Sequence, residues 1–224
     1  METKYKAVVE FSKLTRIFHW IRALAIFALI ATGFYLAYPF LAPNNFTGEP
    51  TGFLYASVRS WHLIIGFVLI AITIFRFYLL FFTRECAMER RSVLDFFNPF
   101  VWFGILKTYL LFGGHPHLKG TYNPLQFITY LGVFFLIVAI SLSGLVLYAH
   151  VYHDGLGGMI APLMKPLEVL CGGIANVRLI HHILTWAFII FIPIHIYMAS
   201  WNSVKFPGSG VDTIFSGVKF EKEQ

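Results

Sequence analysis

From Val177 to Trp201 the chain reads VRLIHHILTWAFIIFIPIHIYMASW, an apolar run of membrane-spanning length that carries histidines where lipid would tolerate none. His181 and His195 are fourteen residues apart, which on a helix is nearly four whole turns, or about 21 Å of rise. The two therefore share one face at opposite membrane depths. His182 falls about 100° further round and misses that face, so of the adjacent pair His181 is the better partner for His195. Imidazoles at two depths along one face point to two stacked metal centres, and the centre that fits between helices at each depth is a haem.

Such centres require neighbouring helices. Of the 224 residues 58% are hydrophobic and 12% charged, the composition of a membrane protein. Four stretches are long and apolar enough to cross about 30 Å of hydrocarbon: residues 17–38, 58–82, 125–149 and 178–201. Each must be a helix, because backbone in lipid has to satisfy its own hydrogen bonds. The predicted fold is an all-α integral membrane protein, a single membrane domain over residues 1–224 built as a four-helix transmembrane bundle.

Charge sets the orientation. Lys4, Lys6, Lys13 and Arg16 precede the first span. Arg84, Arg90, Arg91, Lys107 and Lys119 follow the second, and Lys205, Lys219 and Lys222 follow the fourth. The connection from Pro39 to Ser57 has no Lys or Arg, and the one before Arg178 has only Lys165. The positive-inside rule then places both termini in the cytoplasm. This bias accounts for the net charge of +6, and no nucleic-acid-binding motif accompanies it. The first apolar run is too long for a cleavable signal peptide and lacks a small-residue cleavage site. Cys86 and Cys171 fall on opposite sides and are not expected to form a disulfide. There is no C-x-x-C-H run, so any haem is non-covalent.

Depth pairs the histidines. His19, in RIFHWIRALAIFALIATG, lies near the cytoplasmic end of the first span, at the depth of His195. His62, in RSWHLIIGFVLIAITIFRFY, lies near the outer end of the second span, at the depth of His181. Two cross-membrane pairs result, His62 with His181 outside and His19 with His195 inside. A closed structural zinc site usually wants four clustered ligands, whereas each level offers two, which suits haem b. Gly33, fourteen residues after His19, is placed where a missing side chain would admit a porphyrin edge. Arg76 is fourteen residues after His62, near the inner haem level; its guanidinium either pairs with a haem propionate or snorkels to the interface.

Between the second and third spans, Asn98 and Pro99 read as N-cap and first helical position of an apolar segment too short to span, an interfacial helix on the cytoplasmic leaflet. The turn-rich GGHPHLKGTYNPLQ follows, gathering His115, His117, Tyr122, Asn123 and Gln126 at the inner face. These are either solvated loop residues or a site beside the inner haem. Ser141, Ser143 and Gly144 in the third span read as small residues for close helix packing. The outer loop from His150 to Val177 reads as partner-facing surface around a short amphipathic stretch.

The two histidine-bearing motifs quoted above, followed by His181-His182 with a histidine thirteen and fourteen residues on, resemble the b-type cytochrome subunits of membrane-bound nickel-iron hydrogenases over essentially the whole chain. The last helix is also similar to the related formate dehydrogenase cytochrome subunits. This resemblance implies two haem b groups with His19, His62, His181 and His195 as axial ligands, the bacterial cytoplasmic (inner) membrane as location, and hydrogenase small and large subunits as partners on the periplasmic side. Tyr122-Asn123-x-x-Gln126 is similar to the segment bordering the quinone pocket in formate dehydrogenase cytochromes. That implies a quinone, menaquinone or ubiquinone, near the inner haem, with Asn123 and Gln126 as partners of its oxygens and His117 as a titratable group for proton delivery.

The expected function is a di-haem b electron carrier from a periplasmic nickel-iron hydrogenase to the quinone pool; the splitting of hydrogen itself belongs to other chains. The neighbouring alternative is the cytochrome subunit of formate dehydrogenase or another periplasmic oxidoreductase. A proton-relaying transporter would usually bring internal repeats and broken helices. A plain membrane anchor with no redox role, in contact with membrane lipid, would leave four depth-matched histidines unexplained.

Overall fold

The structure, a computed structural model, describes residues 5–41, 53–110, 118–205 and 211–222. Four long apolar helices dominate it: α1 (Lys13–Ala37), α2 (Phe53–Phe82), α5 (Pro124–Val151) and α7 (Ile174–Lys205). All four are long and apolar enough to cross a membrane, as expected for an all-α integral membrane protein. Each begins before its predicted span, because nothing forces a helix to stop at the edge of the hydrocarbon. At the start of α1, for instance, the Ser12 hydroxyl accepts from the Thr15 amide at 3.2 Å and satisfies a first-turn donor. Much of the apolar surface faces outward, including Leu24, Ile64, Phe75, Phe135 and Ile190, which in water would be a liability and in lipid is the solvent-facing side.

The chain divides into two compact units. The first takes Met1–Arg16, Phe75–Val138 and Phe188–Gln224; the second takes Ile17–Ile74 and Ala139–Ala187.

In the first unit an antiparallel ribbon joins the two ends of the chain, β1 (Tyr5–Val9) against β2 (Val218–Lys222), in the register Tyr5↔Lys222 to Val9↔Val218. The sequence reading did not foresee it. The short helix α8 (Val211–Ser216) leads into this ribbon through Gly217 at φ +82°. The Gly217 carbonyl accepts from the amides of Glu10 and Phe11, and a Cβ at Gly217 would meet Arg16 Nε and the Phe11 oxygen at 2.9 Å. Glycine is required there for both conformation and space.

The loop after α2 holds two helices, α3 (Ala87–Phe96) and α4 (Pro99–Tyr109). Asn98 caps α4 as expected, its Oδ1 accepting from the Phe100 amide at 3.0 Å, with Pro99 in the first turn. Helix α3 is the addition. It buries a polar stripe, Glu89, Ser92 and Asp95, at spacings of three that keep all three on one face.

In the second unit α6 (Gly155–Leu170) packs on the ends of α5 and α7 through Val146, Ala149, Met164 and Val177. It ends at Gly172, φ +83°, whose amide returns to the Val169 carbonyl at 2.9 Å, a left-handed C-terminal cap. This is the amphipathic stretch expected in the outer loop. Cys86 and Cys171 are both free thiols.

Candidate functional site

Inside the second unit the imidazoles of His62 (α2) and His181 (α7) face each other, ring centroids 6.5 Å apart and planes at 67°. Each ring is held by one neighbouring helix. His62 Nδ1 lies 2.8 Å from Thr32 Oγ1 of α1, and a Cβ on the next residue, Gly33, would stand 3.4 Å from His62 Cε1. His181 Nδ1 lies 2.8 Å from Ser143 Oγ of α5, and a Cβ on Gly144 would stand 3.5 Å from His181 Cε1. The same dipeptide pattern, a hydroxyl followed by glycine, therefore seats both histidines. The hydroxyl fixes the ring angle, and the glycine lets the ring lie against the helix backbone. His182 and His195 are exposed, and His181 is half-buried.

At the other end of the long helices, His195 stacks on Phe191 in the first unit, centroids 5.3 Å apart. Pro193 lies inside α7 two residues earlier, where it removes the amide that would bond the Ile189 carbonyl. His19 belongs to the second unit, edge-on to Trp20 at 5.5 Å.

The first unit encloses a polar cluster. Arg76, 4% exposed, forms an ion pair with Glu89 of α3, and its Nη1 donates to Cys86 Sγ at 3.5 Å. Its guanidinium carbon lies 5.7 Å from the Tyr130 ring centre. Tyr122 stacks on Tyr130 with centroids 5.4 Å apart and donates its hydroxyl to Glu89 Oε2 at 3.0 Å. A guanidinium this enclosed does not snorkel. Arg76 Nε is buried without a hydrogen-bond partner among the described residues. Burial, followed by the Glu89 carboxylate, pushes the Tyr122 phenol well above its ordinary range, and burial pushes the Cys86 thiol up as well.

Helix α3 also orders the segment before α5. Asp95 Oδ2 accepts from the amides of Lys119 and Gly120, both at 2.8 Å, and Ser92 Oγ accepts from the Tyr122 amide at 2.9 Å. Asn123 and Gln126 then cap α5 reciprocally. The Asn123 amide donates to Gln126 Oε1 at 3.0 Å and the Gln126 amide donates to Asn123 Oδ1 at 2.9 Å, the logic of a capping box. Asn123 is buried and Gln126 exposed. Their carboxamide NH2 groups are the donors that capping does not use. His117 lies outside the described residues, as does His115.

A model of the family described as prokaryotic cytochrome b561 matches residues 10–217. The chain belongs to this family. The resemblance carried by the histidine motifs is thereby borne out. Among similar proteins, a probable Ni/Fe-hydrogenase B-type cytochrome subunit of Rhodobacter capsulatus is 30% identical over 93% of this chain and 79% of its own length. The protein of the same name from Cupriavidus necator is 26% identical, over 97% of this chain and 89% of its own length. A probable Ni/Fe-hydrogenase 1 B-type cytochrome subunit of Escherichia coli K12 is 23% identical over 95% and 90%.

As a cytochrome b561 relative with four membrane-length helices, the protein is a multi-pass membrane electron carrier of b-type haem. The His62–His181 geometry fits that group. Two imidazole–metal bonds of about 2 Å each, with the distance from each nitrogen to its ring centre, account for nearly all of the centroid separation. Among the described residues no three His, Cys, Asp or Glu side chains gather into a metal-holding group, so a closed multi-ligand zinc site finds no donor set there. Thr32 and Ser143 are the site residues that sequence reasoning missed. The signal was present in the repeated hydroxyl-glycine pairs, Thr32-Gly33 and Ser143-Gly144, each on the helix that precedes a histidine-bearing span or its outer loop.

Proposed function

We propose that this cytochrome carries electrons through two haem b sites from a periplasmic nickel-iron hydrogenase to a membrane quinone, menaquinone or ubiquinone. The observation that carries the reading is the opposed pair His62 and His181, each ring oriented by a hydroxyl and seated on a glycine. These two residues would hold the haem nearer the periplasm. His19 and His195 would hold the other, on the strength of their helical spacing and matching depth. Haem at each level supplies one-electron exchange with its neighbours. Arg76, whose Nη atoms hold Glu89 and Cys86, retains Nε–H for a propionate oxygen.

The donor is inferred from the names of the relatives, probable Ni/Fe-hydrogenase B-type cytochrome subunits. Hydrogenase small and large subunits would dock on the periplasmic loops that are poor in Lys and Arg. Quinone reduction takes two electrons and two protons, so its site must adjoin both a haem and water. The cytoplasmic end offers this. Asn123 and Gln126 present carboxamide NH2 donors to the quinone oxygens, and His117, with an ordinary pKa of about 6.5, delivers protons taken from the cytoplasm. Turnover would then be electrogenic, negative inside.

A pyridine haemochrome assay per mole of purified protein tests the haem count directly, with two expected. His62→Ala, His181→Ala, His19→Ala and His195→Ala should each lose one haem, since each removes one of two axial bonds. Single replacement of His117, Asn123 and Gln126 should keep both haems reducible by the donor while impairing quinone reduction. Unchanged quinone turnover in all three variants would remove the quinone site from this segment.

A further inference from the structure

The hydroxyls of Thr32 and Ser143 do two things at once. Thr32 Oγ1 donates to the Ala28 carbonyl at 2.7 Å while lying 2.8 Å from His62 Nδ1. Ser143 Oγ donates to the Ile140 carbonyl at 2.9 Å while lying 2.8 Å from His181 Nδ1. A carbonyl oxygen only accepts, so each hydroxyl spends its single proton on the backbone. Toward the imidazole it has only a lone pair left. The hydrogen between them must therefore sit on Nδ1, and a neutral imidazole with its proton on Nδ1 carries the free lone pair on Nε2.

We propose that Thr32 and Ser143 are positioning residues that lock His62 and His181 into the Nδ1–H tautomer, presenting both Nε2 lone pairs to one iron and tuning its potential through the Nδ1–H bond. This rests on the reading of His62 and His181 as axial ligands. Hydroxyls in membrane helices often bond the carbonyl one turn back and do nothing more. Here two of them, on separate helices, add the same second contact to two facing imidazoles, and each is followed by the glycine against which that ring lies. The backbone carbonyl is the element that forces the direction. Were the hydroxyl free to rotate, it could as well donate to Nδ1 and leave the proton on Nε2, the tautomer that cannot ligate through that nitrogen.

A donated Nδ1–H bond also raises the basicity of the ligating nitrogen. More electron density at the metal favours its oxidised state, so the two hydroxyls hold the potential of this centre lower than bare imidazoles would. The angle between the ring planes, 67°, is set by the same contacts, and the low-spin ferric EPR spectrum is sensitive to that angle.

The experiment uses the purified haem-loaded cytochrome with Thr32→Val and Ser143→Ala, which remove the hydroxyl, beside Thr32→Ser and Ser143→Thr, which keep it. Haem content, the redox titration of the haem bands and the ferric EPR spectrum are read on each. Thr32→Val and Ser143→Ala should shift the midpoint potential of one haem upward and alter its EPR signal, or lose that haem, with the other haem unchanged; Thr32→Ser and Ser143→Thr should match the parent. Parental potential and spectrum in Thr32→Val and Ser143→Ala overturn the proposal, and so does a hydroxyl-keeping variant as defective as its hydroxyl-free counterpart. If His62→Ala and His181→Ala retain both haems, the ligand reading itself has failed. If they lose haem while Thr32→Val and Ser143→Ala behave as the parent, only the positioning role has.

Discussion

Arg76 and Glu89 face each other inside the first unit with 4% and 3% of their side-chain surface exposed, and the Tyr122 hydroxyl donates to the same carboxylate. A buried pair gives net stability only while both charges are present, because the survivor of a single deletion is left desolvated and uncompensated. Glu89→Leu alone, which strands the Arg76 guanidinium, should cost about 3–5 kcal/mol, whereas Arg76→Met with Glu89→Leu should cost far less. Thermal unfolding of detergent-purified protein measures both. Equal losses in the single and double variants would show that the pair is not the coupled unit.

Tyr122 gives the first unit a pH dependence at its alkaline end. The phenol is raised above its ordinary value of 10.0, first by burial and then by Glu89. A raised folded pKa means that the stability it contributes is fully present below the unfolded value and is lost as pH rises through the higher folded one. Ultraviolet difference titration should therefore find a late-titrating phenol that is missing in Tyr122→Phe, and alkaline destabilisation should begin above pH 10 and be weaker in that variant. Titration of every tyrosine together in the parent protein would contradict this.

Asp95 ties the segment before α5 to α3 by accepting two backbone amides on one oxygen. Hydrogen bonds to a charged group contribute about 1.5–3 kcal/mol, so Asp95→Asn should lower the melting temperature and increase proteolysis around Lys119. Gly120→Ala should be worse. Its Cβ would lie 2.3 Å from the Ser92 nitrogen, so the segment would have to leave α3. Limited proteolysis that is unchanged in both variants would argue against this attachment.

His181 and His182 are adjacent, yet only His181 is held by Ser143 against Gly144. His181→Ala should lose a haem and His182→Ala should keep both, as read by pyridine haemochrome. The reverse result would reassign the ligand.

The pairing of His62 with His181 was legible in the residues because two regular constraints act together: helical periodicity sets the face, and the fixed thickness of hydrocarbon sets the depth. Arg76 was legible as an intramembrane cation, but its partner was not. Glu89 lies thirteen residues on, in a charged stretch that reads as solvated loop, and only the fold of α3 turns Glu89, Ser92 and Asp95 inward. Asn123 and Gln126 read as ligand groups, and the structure adds the capping box that occupies one atom of each.

By itself the sequence determined the class, the four membrane-length helices, the short helix behind Asn98 and the facing pair His62 and His181, all of which follow from local periodicity and from a solvent that forbids unpaired backbone. Tertiary structure decided which hydroxyl meets which imidazole, which way the polar stripe of α3 points, and that the first strand pairs with the last. Those are contacts between residues distant in the chain. Thr32 and Ser143 show the reason most plainly: each satisfies its proton on its own helix, so the hydroxyl-glycine pair that marks each position in the sequence does not say which histidine of another helix its oxygen meets.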